Sequence, residues 1–165
     1  MLPTKPKVHK NFRSVHLFGN FSYAIKDNGD VYSWGDNARG RLGLGTGEEK
    51  AEIPTIVPML KSIKEINCGL WHVLALDVNG TVFSCGNNKN GECGREGTGG
   101  EGFQAIDCAP MNHISAGFGV SFFVCMKENR LHSCGSMNLS LQKSQKNVPT
   151  LVSKFNEEVK MVDAA

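Results

Sequence analysis

The sequence predicts an all-β fold, a partial β-propeller of about three four-stranded blades, and three observations predict it. Sliding the chain against itself by 51 residues superposes Val15–Gly43 on Ile66–Gly94 without a gap. Short apolar runs recur on either side of Asn-Gly pairs, the strongest local signal for a β-hairpin. No run carries a long 3.6-residue period, which argues against a helical solenoid. The 19 glycines of the 165-residue chain exceed the ~7% average and cluster where turns are needed.

Matching within the first two copies is residue by residue: Ala24/Ala75, Asn28/Asn79, Gly29/Gly80, Val31/Val82, Ser33/Ser84, Gly35/Gly86, Asn37/Asn88, Gly40/Gly91 and Gly43/Gly94 are identical. In the first copy, Ser22–Ile25 and Val31–Trp34 flank the turn Asp27-Asn28-Gly29. In the second, Val73–Leu76 and Val82–Ser84 flank Val78-Asn79-Gly80. Asn and Gly tolerate the positive φ that such turns demand. Pro54–Val57 and Ile63–Ile66 are expected to supply two further strands of the first unit.

The third copy is weaker. Ile114-Ser-Ala-Gly117 follows Ile66-Asn-Cys-Gly69 at an offset of 48, and Ser133-Cys134-Gly135 follows Ser84-Cys85-Gly86 at 49, so one residue is inserted between them. Asn129 stands where Gly80 would be, and the turn is expected to survive because Asn is the next most tolerant residue for φ > 0. Val148–Val152 reproduces Ile53–Val57, and Val159–Val162 resembles the run from Ile63. The expected organisation is a basic leader over 1–13, then repeats over about 14–64, 65–112 and 113–162.

Charge excludes little but ranks the alternatives. A net charge of +2 cannot drive strong phosphate-backbone binding by the whole chain. Lys5, Lys7, Lys10, Arg13 and Lys26 nevertheless all precede the first acidic residue, Asp27, and a leader of this kind is either a solvated tail or a chromatin contact. There is no apolar signal-peptide core and no stretch near the ~20 apolar residues of a membrane span, so the expectation is an intracellular protein, cytoplasmic or nuclear, with no membrane contact. The six cysteines lack Cys-x-x-Cys spacing, which points to reduced, mostly buried thiols rather than disulfides or zinc.

The run Tyr32-Ser-Trp-Gly35-Asp-Asn37-Ala-Arg-Gly40-Arg-Leu-Gly43-Leu-Gly45, followed by Pro54 and Val57, resembles the repeat of the regulator of chromosome condensation family. The second unit is similar through Gly69-Leu-Trp-His72, Asn79-Gly80 and Cys85-Gly86-Asn-Asn88-Lys-Asn-Gly91-Glu-Cys-Gly94. Phe18 and Phe21 occupy the Gly and His positions of the first unit, Val120 the His position of the third, and Ser140 and Lys143 replace loop glycines. The resemblance implies blades of a seven-bladed type, of which this chain holds about three. It also implies a regulatory link to a Ran-like small GTPase as a guanine-nucleotide exchange factor.

An open arc exposes both ends. Val15 and its neighbours read as a last strand donated to a blade whose other strands are absent, and Val159–Val162 as the end of the third blade. An uncovered apolar patch of about 500 Å² forfeits roughly 12 kcal/mol, comparable with a typical total stability of ~5–15 kcal/mol. Self-association or a second chain completing the ring is therefore expected, as is the alternative that the chain is a fragment or half of a larger scaffold.

Site residues divide into two groups. Gly29, Trp34, Gly35, Asn37, Gly40, Gly43, His72, Gly80, Gly86, Asn88, Gly91, Gly94 and Gly135 are structural repeat positions. Trp34, Cys85 and Cys134 share one blade-interior position and are expected in the core. Arg39, Arg41, Lys89, Glu92 and Arg95 fall in equivalent loops and are the candidate partner contacts, since propeller loops lie at the rim. Gly40–Gly47 lacks the Gly-Lys-Ser/Thr ending of a phosphate loop. His72 has no neighbouring nucleophile or orienting carboxylate in sequence, so a small hydrolase using it is the lesser alternative. No cofactor, metal or catalytic residue is assigned. The expected function is a protein–protein interaction module.

Overall fold

A computed structural model describes residues 11–136 and 148–152. These fold into three antiparallel four-stranded sheets, which are the blades. The first holds β1 (Phe12–Phe18), β2 (Phe21–Lys26), β3 (Val31–Asp36) and β4 (Lys50–Ile56) in that order. The second holds β5 (Ile63–Cys68), β6 (His72–Asp77), β7 (Val82–Asn87) and β8 (Gly99–Ala105), and the third β9 (Met111–Ala116), β10 (Val120–Cys125), β11 (Leu131–Gly135) and β12 (Thr150–Leu151).

This phase corrects the expected unit boundaries. Ile63–Cys68 opens the second sheet, pairing Ile66 with Ala75 on β6 rather than closing the first. Val15 likewise pairs with Ala24 inside its own blade, so β1 is a first strand and not a strand donated elsewhere. Apolar periodicity identifies a strand but carries no information on which neighbour it joins. Arg13, assigned to the leader, lies in β1 and donates to the carbonyls of Ile63 and Lys64 at 2.6 and 3.2 Å. The rest of the basic leader, Ser140, Lys143 and Val159–Val162 lie outside the described residues.

The hairpin turns form as their residues dictate. Gly29 has φ +80° and its N–H donates to the Lys26 carbonyl at 2.9 Å; Gly80 repeats this with φ +89° and a bond to Asp77. In the third blade Asn129 takes φ +50°, but its N–H reaches one residue further back, to the Cys125 carbonyl. The inserted residue of the third copy is absorbed in this turn, and the strands on either side keep their register.

Packing lies between the sheets. The first boundary buries Phe21, Tyr23, Ile25, Ile66, Val73, Ala75, Cys85 and Phe103 in one cluster; the second buries Leu74, Leu76, Ile106, Ile114, Phe123 and Cys134 in another. Alternate residues of a strand point to opposite faces. Each blade therefore presents one row to the blade before it and another to the blade after it.

Candidate interaction surface

The glycines and asparagines of the repeat build the loops and the blade boundaries. Gly35, Gly86 and Gly135 have φ of +101°, +96° and +96°, and a Cβ there would collide with the carbonyl oxygens of Asn20, Trp71 and Gly119. A Cβ on Gly43 would strike the Phe103 ring, and one on Gly94 would come within 3.2 Å of Cys134 Sγ. Gly40 and Gly91 adopt φ of +73° and +81° in the same loops. Asn37 accepts from Leu42 N–H at 2.9 Å and donates to the Glu48 carbonyl at 2.6 Å. Asn88 accepts from Cys93 N–H at 2.8 Å and donates to the carbonyls of Arg95 and Gly97. These are structural duties.

His72 is fully buried. Its Nε2 lies 2.7 Å from Ser121 Oγ, and Ser121 donates to the Glu92 carbonyl at 2.7 Å. The serine proton is thus committed to Glu92, so Nε2 carries the histidine proton and Nδ1 is left as a buried lone pair without a partner. Desolvation lowers the imidazole pKa to about 4. A sealed, neutral ring is a strut between blades, with no exposed atom through which to act as a hydrolytic base.

The five candidate contact residues do not form one rim surface. Arg41, Glu92 and Arg95 are buried. Arg41 donates to Asp36, Asn20 and the Leu70 carbonyl, and its guanidinium lies between the Phe21 and Trp71 rings at 4.7 and 5.2 Å. It clamps the first blade to the second. Glu92 accepts from the Asn87 side chain and from Asn90 N–H, and Arg95 Nε donates to Ser84 Oγ at 3.1 Å. Loop position predicted exposure, but these loops fold inward over the blade boundary.

Arg39 and Lys89 alone of the five are exposed. Both line a cleft of about 880 Å³ between the first and second blades. Lys50 lies on it too, opposed by Asp36, Glu48 and Glu49, so the cleft carries both signs. Arg39 takes φ +62°, stacks over Trp71 at 5.4 Å and donates to Asn87 at 3.3 Å. Trp71 is the residue sequence reasoning undervalued: it is partly exposed and holds both Arg39 and Arg41, yet those partners lie about thirty residues away on another blade.

Trp34 is a further correction. Cys85 and Cys134 are buried as expected, while Trp34 at the same position is only half-buried. Cys85 Sγ faces the Arg41 carbonyl of the first blade and Cys134 Sγ the Glu92 carbonyl of the second. The equivalent neighbour of Trp34 would be a blade preceding the first. All six thiols are free. Burial pushes Cys68 and Cys93 up to about 12 and Cys108 to about 11. Among the described residues no group of three or more His, Cys, Asp or Glu is placed to hold a metal ion, and no helix is long and apolar enough to cross a membrane.

Three stacked four-stranded blades with buried glycine loops define a β-propeller repeat protein whose ring is not closed by the described residues. The pattern of the Regulator of chromosome condensation (RCC1) repeat matches residues 28–76, and a second pattern of that description matches residues 63–92. The chain belongs to the regulator of chromosome condensation repeat family. It is 42% identical over 92 residues to the human E3 ubiquitin-protein ligase HERC2, covering 52% of this chain and 2% of that one. Its fold is similar to yeast RCC1 (Prp20) in complex with Kap60, with TM-score 0.77, 22% identity, and coverage of 99% of this chain and 41% of the yeast chain. A second Saccharomyces cerevisiae Prp20p structure, described with its binding properties to Gsp1p and histones, gives TM-score 0.71 at 21% identity, covering 99% and 43%. The chain therefore spans less than half of either yeast protein and a small part of the ligase.

Proposed function

We propose that the chain is a protein-interaction module that regulates a Ran-like small GTPase, with the cleft between the first and second blades as its contact surface. The observation that carries this reading is the pairing of exposed Arg39 and Lys89 in one cleft with the acidic Asp36, Glu48 and Glu49. A mixed-charge groove between rigid blades favours a partner with complementary charges and gives specificity and association rate more than raw affinity. Guanine-nucleotide exchange is the sharper form of the proposal. Gsp1p and histones, named for the yeast structure, make a GTPase the first partner to try and a chromatin contact through the basic N-terminus the second. The proposed location is intracellular, cytoplasmic or nuclear.

The test is release of labelled nucleotide from a Ran-like GTPase in the presence of the chain. Accelerated release that weakens in an Arg39→Ala/Lys89→Ala variant supports the proposal. Rates equal to buffer, together with no binding of the GTPase, reject it. A second reading, a non-catalytic half of a larger propeller scaffold, draws on the exposed apolar strand β1, where Val15 and Leu17 are 55% and 76% exposed.

A further inference from the structure

The three blades answer, by comparison with one another, what belongs on the open face of the first. Phe12, Ile63 and Met111 hold one position on the first strands and are 42%, 0% and 1% exposed. Val15, Ile66 and Ile114 hold another and are 55%, 2% and 1% exposed. In the second and third blades these rows are covered by the blade before. The first blade carries the same row with nothing among the described residues on it, so the covering body is a blade of the same kind.

The boundary chemistry says which kind. Sheet register places Phe21 opposite Gly35, His72 opposite Gly86 and Val120 opposite Gly135, which makes these three the equivalent residues facing the following blade. It likewise places Ser22 opposite Trp34, Val73 opposite Cys85 and Ser121 opposite Cys134, equivalents facing the preceding blade. At the first boundary the facing pair is apolar, Phe21 against Val73, and the Arg41 carbonyl is satisfied by the Tyr23 hydroxyl of its own blade at 2.6 Å. At the second boundary the pair is polar, His72 against Ser121; Leu74 replaces Tyr23, and the Glu92 carbonyl is satisfied by the Ser121 hydroxyl instead. Side chains at a boundary therefore come as matched sets, because an unpaired buried hydroxyl or carbonyl costs about 1–3 kcal/mol.

The open face presents Ser22, the serine of the polar set. We infer that this face seats a propeller blade supplied from outside these 165 residues that carries histidine at the position of His72 and leucine at the position of Leu74, with Ser22 bonded between its imidazole and its loop carbonyl. A second copy of this chain is a poor occupant, since its third blade would offer Val120 and Phe122 to Ser22 and leave the hydroxyl unmatched. The inference rests on reading the chain as an interaction module but does not depend on a GTPase.

The full-length chain tests it on itself. A Val120→His/Phe122→Leu variant gives the third blade the outward pair of the second, and its copy-to-copy association is measured by sedimentation equilibrium beside wild type. The expected result is association about tenfold tighter than wild type, the scale of one matched buried hydrogen bond, reversed by adding Ser22→Val and abolished by adding Leu17→Asp. The imidazole signals of His72 in NMR report that the second blade is folded in every variant. No gain over wild type, a gain that survives Ser22→Val or Leu17→Asp, or a wild type that already associates as tightly overturns the inference. GTPase exchange is read separately, so the gain without exchange rejects the proposed function and keeps this inference, while exchange without the gain does the reverse.

Discussion

His72 Nε2 and Ser121 Oγ meet at 2.7 Å across the boundary between the second and third blades, with the serine proton passed on to the Glu92 carbonyl. The ring is fully buried and its pKa is lowered to about 4 from 6.5 by desolvation. The neutral form is the folded form. Between pH 6.5 and 4 the unfolded chain binds a proton that the folded chain refuses, so stability is full above the unfolded pKa and falls as pH drops, by up to about 3 kcal/mol at pH 4. Urea melts of wild type and His72→Gln between pH 7 and 4 check this: the difference between them should shrink as pH falls, because the variant lacks that proton-linked loss.

Ser121→Ala removes the acceptor of the histidine proton and the donor to Glu92 together. The expected cost is about 1–3 kcal/mol, from two buried groups left unpaired. Thermal unfolding measures it, and a midpoint equal to wild type would show that the boundary does not depend on the polar set.

The repeat glycines separate steric from conformational cost. Gly86 has φ +96° and a Cβ would collide with the Trp71 carbonyl, whereas Gly45 has φ +71° and open space around it. Gly45→Ala should cost only about 1 kcal/mol of left-handed strain. Gly86→Ala should cost roughly 3 kcal/mol or more, since strand β6 must also move, and the two melting points should part by several degrees. Equal melting points would remove the close-approach role.

The strand pairs and turns were legible in the sequence because they are local: Asp27-Asn28-Gly29 and its copies state their own geometry. Blade membership was not. Ile63–Cys68 follows a turn in either phase, and only pairing with Ala75 decides it. Exposure of the loop charges was misread for a related reason. Arg39 and Arg41 are two residues apart with the same charge, yet one reaches into the cleft and the other is held between Phe21 and Trp71. Nothing within the loop distinguishes them, because the second ring comes from the next blade.

That difference is itself testable. Arg41→Met breaks the inter-blade clamp and leaves Asp36 and Asn20 without their donor, which should cost about 2–4 kcal/mol. Arg39→Ala and Lys89→Ala should stay within about 0.5 kcal/mol of wild type, as exposed substitutions do. Stability losses of the same size for Arg39 and Arg41 would contradict the burial that distinguishes them.

Thiol chemistry offers a map of the boundaries without mutation. The thiolate is the reactive form, and it requires both access and a pKa within reach. Cys85, Cys93 and Cys134 are buried, with burial raising all three and Cys93 held up to about 12, while Cys108 is partly exposed at about 11. Native alkylation at pH 8 followed by peptide mass spectrometry should therefore label Cys108 first and the three boundary thiols last, at rates that track opening of the blades. Because Cys85 faces the Arg41 carbonyl and Cys134 the Glu92 carbonyl, Arg41→Met should accelerate Cys85 more than Cys134. Equal acceleration of both would mean that the three blades open as one unit and that the first boundary has no stability of its own.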